Sequence, residues 1–174
     1  MAIGQSSRYK LTSLEGGVRF DLDSDGSAEQ ISWTRADESV AFLVLDRNSN
    51  GLIDNGREMF GNFTPLEGDA TAAHGFEALA TWDAPSAGGN GDGWIDPSDS
   101  VWIGLQLWVD SNHNGISEPA ELFSLATYEV SRISIQAYAE ERRDQHGNTF
   151  RFRGQFIIGG RPRWAYDVFF VGRE

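Results

Sequence analysis

Twelve residues, Asp110 to Glu121, read DSNHNGISEPAE and restrict the chain more than any other stretch. Asp110, Asn112 and Asn114 put oxygen-bearing side chains at positions one, three and five. Gly115 follows at six, Ile116 at seven, Glu118 at nine and Glu121 at twelve. Such a segment can wrap around one hard cation. Calcium takes about six to eight oxygen ligands at roughly 2.3–2.6 Å. Positions one, three and five would supply side-chain oxygens, seven a backbone carbonyl, and nine a contact often made through water. The glutamate at twelve would close the shell with two oxygens, and glycine at six allows the sharp turn. An ordinary surface turn uses the same residue types, so repetition decides between the two readings.

The spacing is that of an EF-hand calcium loop, and it recurs three times. DLDSDGSAE supplies Asp21, Asp23, Asp25, Ser27 and Glu29, with Gly26 at position six and Ser32, a poor closing ligand, at twelve. DRNSNGLIDNGRE supplies Asp46, Asn48, Asn50, Leu52 and Asp54, with Gly51 at six. Its glutamate, Glu58, stands at thirteen, so one extra residue must be absorbed near Asn55-Gly56. In DAPSAGGNGDGWIDPSD, counting back from Asp99 at twelve places Asp96 at nine, Trp94 at seven, Gly93 at six, Asp92 at five and Asn90 at three. Gly88 would then hold position one without a ligand. Asp83 repairs this if Ala84 to Gly89 form an insertion. Four loops sharing glycine at position six are far more specific than one. They predict three to four bound Ca2+ ions.

The charge is placed accordingly. The formal net charge is −12, and residues 1–138 carry 21 acidic against 7 basic side chains, whereas residues 139–174 carry 5 against 7. This excess argues against nucleic acid and anionic membranes as partners and suits metal cations. The apolar and aromatic content, with six Trp and eleven Phe, is too high for a disordered chain. There is no cysteine, so neither a disulfide framework nor a thiolate metal site is possible. No apolar run approaches the ~18 residues of a membrane span. The N-terminal MAIGQSSRYK has no signal-peptide core and reads as a bare domain edge.

The length suits one domain, 1–174, with a loop region over 18–128 and a sheet region over 129–174. Short strands are expected at 8–14, 17–23, 31–34 and 40–45, and irregular chain over 59–74. Amphipathic helices are expected at 75–82 (Phe76, Leu79 and Ala80 inward), from Pro97 to the Asp110 loop (Val101, Leu105 and Trp108 on one face), and at 118–126 (Leu122 and Leu125 inward). Beyond Val130, alternation through Ile133, Ile135 and Ala137, then Phe150 and Phe152, then Trp164, Tyr166, Val168 and Phe170 predicts a three-stranded antiparallel meander. Its turns fall at Asp144 to Asn148 and at Gly159-Gly160. The expected fold class is therefore α+β: EF-hand-like calcium loops with short helices, short N-terminal strands and a C-terminal antiparallel β-meander.

The order FDLDSDG, LDRNSNGLIDNGREMFGN, HGFEALATWD, GNGDGWIDPSD and LQLWVDSNHNGISEPAELFSL resembles the EF-hand-like calcium modules of large secreted bacterial proteins. The nearest family is the calcium-dependent self-processing module of iron-regulated RTX proteins. The resemblance covers residues 18–135. It implies secretion and calcium-dependent folding. It also implies cleavage of an Asp-Pro bond preceding the module, after which the released aspartyl group can join a lysine. The sequence departs from that pattern: AIGQSSRYKLTS stands where an acidic segment is expected, and the only Asp-Pro is Asp96-Pro97, inside the third loop.

The leading expectation is thus a monomeric calcium-binding module, with the self-processing module as the alternative. With only Met1 and Met59, a Met-rich sensor groove has no material. His74, His113 and His146 are scattered, no Gly-x-Ser-x-Gly elbow occurs, and zinc lacks paired His or Cys. No catalytic residue and no organic cofactor site is assigned.

Overall fold

The computed structural model describes residues 1–4, 9–68 and 70–173. It is built from strands, mostly short, with two longer ones of 10 and 9 residues near the C-terminal end. In chain order these are β1 (Val18–Phe20), β2 (Glu29–Ile31), β3 (Phe42–Leu45), β4 (Trp94–Ile95), β5 (Leu105–Trp108), β6 (Leu122–Ser124), β7 (Val130–Ser134), β8 (Tyr138–Arg143), β9 (Thr149–Ile158), β10 (Arg161–Phe169) and β11 (Gly172–Arg173). One α-helix, α1 (Gly75–Ala80), lies between β3 and β4. The strands form three sheets: β1-β2-β11, β3-β5-β6, and β10-β9-β7-β4 with β8 also paired to β9.

This architecture overturns the expected α+β class and its helix-loop-helix units. The stretch expected as a helix from Pro97 forms a 3-10 turn, Ser100–Gly104, and then β5. Gly104 and the β-branched Val101 and Ile103 weaken helix propagation there. Ile103 is left 94% exposed, while Leu105 to Trp108 pair with Leu45 to Phe42 on one side and with β6 on the other. The spacing of Val101, Leu105 and Trp108 fits a helix face, but pairing on both edges of a buried strand outweighs that preference. Likewise 118–126 is not a helix. It is a 3-10 turn at Pro119–Glu121, then β6, then a second 3-10 turn at Leu125–Tyr128.

Around the helix and N-terminus the expectations fare differently. The helix at 75–82 forms as α1, shortened by two residues. It packs closely on the third sheet, where a Cβ on Gly154 would fall 2.3 Å from the Phe76 ring. Of the strand expected at 8–14, Arg8 lies outside the described residues, and Leu11 makes only an isolated bridge to Thr34. Within 59–74, Pro65 bridges Thr71, and Asp69 lies outside the described residues. In the C-terminal region Ile135 and Ala137 leave the alternation, because β7 ends at Ser134 and a further strand, β8, follows. β8 is polar and largely exposed, so no apolar period marked it.

Two apolar clusters hold the sheets. Val18, Phe20, Ile31, Trp33, Val44, Ile53, Met59 and Trp108 form one. Its centre is Trp33, fully buried, with ring centroids 5.4 Å from Phe20, 4.6 Å from Phe42 and 5.5 Å from Trp108. Phe76, Leu79, Ile95, Leu105, Leu107, Leu125, Ile133 and Phe156 belong to the other. Each such side chain contributes about 1.5–3 kcal/mol when fully buried. Strands β1 and β2, and β5 and β6, are antiparallel neighbours in sequence, and the segments joining them are the first and fourth acidic loops.

Candidate metal centres

The four loops share one backbone course. Position four is left-handed in each: Ser24, Ser49, Gly91 and His113 have φ of 66°, 60°, 74° and 60°. So is the glycine at position six, with φ of 94°, 86°, 89° and 73° at Gly26, Gly51, Gly93 and Gly115. At Gly115 a side chain would also collide with the neighbouring strand, since a Cβ would stand 2.8 Å from the Arg19 carbonyl oxygen.

The position-one aspartate organises each loop by accepting backbone N–H groups. Asp21 accepts from Asp25 and Gly26 at 3.1 and 3.2 Å, and Asp46 from Asn50 and Gly51 at 3.2 and 2.8 Å. Asp110 accepts from Asn114 and Gly115 at 3.1 and 2.9 Å. In the third loop Asp83 does the same, accepting from Gly91 and Gly93, both at 3.0 Å. The insertion Ala84 to Gly89 includes a 3-10 turn at Pro85–Ala87, which loops out and returns the chain to register. At position five, Asp25, Asn50, Asp92 and Asn114 accept from the position-seven N–H of Ser27, Leu52, Trp94 and Ile116 at 2.7–2.9 Å. At position three, Asp23, Asn48 and Asn90 accept from the position-five N–H.

The closing carboxylates Glu58 and Glu121 end 3-10 turns, and Asp99 stands just before one, Ser100–Gly104. Glu58 ends the turn Gly56–Glu58, which takes up the extra residue of the second loop. Its Oε1 accepts from Arg47 and Asn48 N–H at 3.0 and 3.4 Å, and its Oε2 from Asp54 N–H at 2.8 Å. Glu121 accepts at Oε1 from Ser111 N–H, Ser111 Oγ–H and Asn112 N–H. Asp99 accepts from Asn90 N–H at 3.1 Å and Asp96 N–H at 2.8 Å. The position-nine groups of the second and fourth loops, Asp54 and Glu118, accept from the amides of Asn48 and Asn50, and of Asn112 and Asn114. The Asn114 amide, 2.7 Å from Oε1, holds the Glu118 carboxyl below the usual carboxylate range. Asp96 instead accepts Ser98 N–H at 2.8 Å.

In the first loop, Asp21, Asp23, Asp25 and Glu29 each bring an oxygen within 4.8 Å of the others. Its position twelve, Ser32, is fully buried and committed elsewhere: it donates to Asn148 Oδ1 and accepts from Val171 N–H at 3.0 Å. It does not close the loop.

These carboxylates are hydrogen-bonded but have no paired countercharge among the described residues. Glu58, Asp83, Asp99, Asp110 and Glu121 are all 3–5% exposed. Among the described residues the ion pairs are Lys10–Glu38, Arg35–Asp37, Arg142–Glu140 and Arg153–Glu140, and none touches a loop carboxylate. Glu121 Oε2 and Glu118 Oε2 are buried with no hydrogen-bond partner among the described residues. Buried carboxylates without cations are costly, so this donor set, all oxygen and net negative, fits a hard divalent ion.

The loops also touch one another. Gly56 N–H donates to the Asp21 carbonyl at 2.9 Å, and Ser24 Oγ–H to Asn55 Oδ1 at 3.1 Å, joining loops one and two. Ser117 Oγ accepts from Ile53 N–H at 2.6 Å and lies 3.3 Å from the Ile53 carbonyl, joining loops two and four. Trp33 Nε1–H donates to Asp110 Oδ2 at 2.8 Å, tying loop four to the core. Sequence reading missed the roles of Ser117 and Trp33. Ser117 stands at position eight of its loop, a slot with no ligand role, and Trp33 lies 77 residues from Asp110.

No helix among the described residues is long and apolar enough to cross a membrane.

Fold and loops together define a β-rich scaffold bearing four acidic, glycine-turned loops. The SPM domain family model matches residues 7–171, and the chain belongs to that family. It is 36% identical over 141 residues to the iron-regulated protein FrpA of Neisseria meningitidis serogroup C; the match covers 80% of this chain and 12% of that protein.

Proposed function

We propose that the chain is a calcium-dependent module of the self-processing type, part of a secreted RTX-like bacterial protein, in which calcium held by the acidic loops drives folding. The observation that carries the calcium reading is the set of five buried carboxylates, Glu58, Asp83, Asp99, Asp110 and Glu121, none of which forms an ion pair with a basic side chain among the described residues. Loops two, three and four each have position one and a closing carboxylate. Loop one has four converging carboxylate oxygens but no closing residue. Three or four calcium ions would move the formal charge from −12 to about −6 or −4, relieving the repulsion among the loops. Ligands that are Asn rather than Asp set moderate affinity, suited to calcium outside the cell. Metal bound only by the folded state adds its binding energy to stability.

Membership of the SPM family supports self-processing as the activity such a fold would control. Asp96-Pro97 is a poor cleavage site. The Asp96 carboxylate is engaged by Ser98 N–H, its own N–H donates to Asp99, and the bond lies inside the third loop. Cleavage is therefore expected at an Asp-Pro bond placed ahead of the module. The test is a fusion carrying an Asp-Pro segment upstream, incubated with calcium or chelator and followed by mass spectrometry. Calcium-dependent scission after the upstream Asp supports the reading. An intact fusion in saturating calcium contradicts self-processing, and separate calorimetry showing no calcium binding contradicts the calcium reading.

A further inference from the structure

The chain has four Asn-Gly steps, and two of them, Asn50-Gly51 and Asn114-Gly115, occupy positions five and six of a loop. At Asn-Gly the following backbone nitrogen can attack the asparagine side-chain carbonyl with no Cβ in the way. We propose that Asn50 and Asn114 are self-modification sites, deamidating whenever their loops open, and that the closed loops hold this reaction off; loop opening by calcium loss rests on the function proposed above.

Three contacts block the reaction in the closed loop. The attacking nitrogens are tied, because Gly51 N–H donates to Asp46 Oδ2 at 2.8 Å and Gly115 N–H to Asp110 Oδ2 at 2.9 Å. A proton held by a carboxylate is harder to remove, and the nitrogen attacks only once it is lost. The target carboxamides are pinned and cannot rotate freely toward that nitrogen: Asn50 Oδ1 accepts from Leu52 N–H and Asn114 Oδ1 from Ile116 N–H, at 2.8 and 2.7 Å. The leaving groups are held as well, Asn50 Nδ2 by Asp54 Oδ2 at 2.8 Å and Asn114 Nδ2 by Glu118 Oε1 at 2.7 Å.

When the loop opens, the glycine nitrogen bonds to Cγ, the Cγ–Nδ2 bond breaks, and ammonia departs with the proton. Water then opens the five-membered imide at either carbonyl, giving an aspartyl or an isoaspartyl residue. The aspartyl product supplies the carboxylate that loops one and three already carry at Asp25 and Asp92. It also sets that charge against Asp54 or Glu118, which now accept from the amide. The isoaspartyl product adds a methylene to the backbone and moves the glycine out of register. Either outcome alters cation affinity at that loop, so the loop records time spent open.

The experiment incubates the purified chain at mildly alkaline pH in calcium, in chelator, and in concentrated urea with each. Peptide mapping and isoaspartyl-specific methyl labelling follow Asn50 and Asn114, with Asn62 and Asn148, which precede Phe and Thr, as internal controls. In urea both sites convert. In calcium without urea they convert at least about tenfold more slowly, the factor for one charge-assisted hydrogen bond. In chelator the rate approaches that in urea. Equal rates in calcium and in urea overturn the proposal. Equal slow rates in calcium and chelator, both far below urea, uphold protection by the closed loop and overturn the dependence on calcium.

Discussion

Glu121 is 4% exposed, gives Oε1 to three donors and leaves Oε2 without one among the described residues. Glu121→Gln keeps the shape and removes the charge. It is expected to lower stability in saturating calcium by about 3 kcal/mol, the contribution of one site a hundredfold above its Kd, and to change stability in chelator far less. Urea titrations in both conditions check this, and equal losses would make Glu121 a structural hydrogen-bond acceptor only. Asp167 is a separate case. Burial pushes its carboxyl above the usual range, while Gly75 N–H donates to Oδ1 at 2.8 Å. A raised folded pKa makes its contribution fully present below the unfolded value and lost as pH rises through the folded one. Asp167→Asn keeps the acceptor and removes that loss. Its stability relative to the parent should therefore climb as pH rises through the acid range, measured by urea unfolding in constant calcium. The shared turn of the loops was legible because it is local, even at Asp83, which accepts from Gly91 and Gly93 N–H across an insertion. Asp167 and Trp33 were not, because their partners lie 92 and 77 residues away. The left-handed residues at position four were equally hidden, since Ser and His there carry no signal.

Loops one and four each close a two-stranded hairpin, and loop two leads from β3 to Met59, which bridges back to Val44. Calcium binding would therefore act on strand pairing rather than on the angle between helices. The acidic spacing in the sequence describes the loop but not what flanks it. Val101, Leu105 and Trp108 fit a helical period, yet Leu105 to Trp108 gain pairing on both edges as β5. β8 was invisible for the opposite reason, having no buried face to create a period. The hydrogen bonds of Ser117 join the second loop to the fourth. Ser117→Ala leaves the buried Ile53 N–H without its partner and is expected to cost about 1–3 kcal/mol. It should also weaken calcium binding at loop two without altering loop three, as read by calorimetry of the variant. An undisturbed second loop would mean that the contact is packing alone.

Across the whole molecule, strand β11 returns to pair with β2, so the first hairpin shares a sheet with Gly172–Arg173. β4, which lies within the third loop, pairs with β7 and ties that loop to the third sheet. The loops are thus built into all three sheets rather than appended to them, and Trp33 connects the aromatic cluster to Asp110 directly. Loss of cations from such an arrangement should be felt globally. Trp33→Phe, which removes the Nε1–H donor while keeping an aromatic ring, is expected to reduce both stability and calcium response, and thermal melts with and without calcium check it. The measurement that bears most directly on the account is thermal unfolding of the chain in chelator, in magnesium and in millimolar calcium. Three sites each a hundredfold above Kd add about 8 kcal/mol, which for a chain of this size is a rise of about 15 °C or more. A calcium-specific rise of that order is the expected result. Identical melting curves in calcium and chelator would contradict the account and return the four loops to ordinary acidic turns.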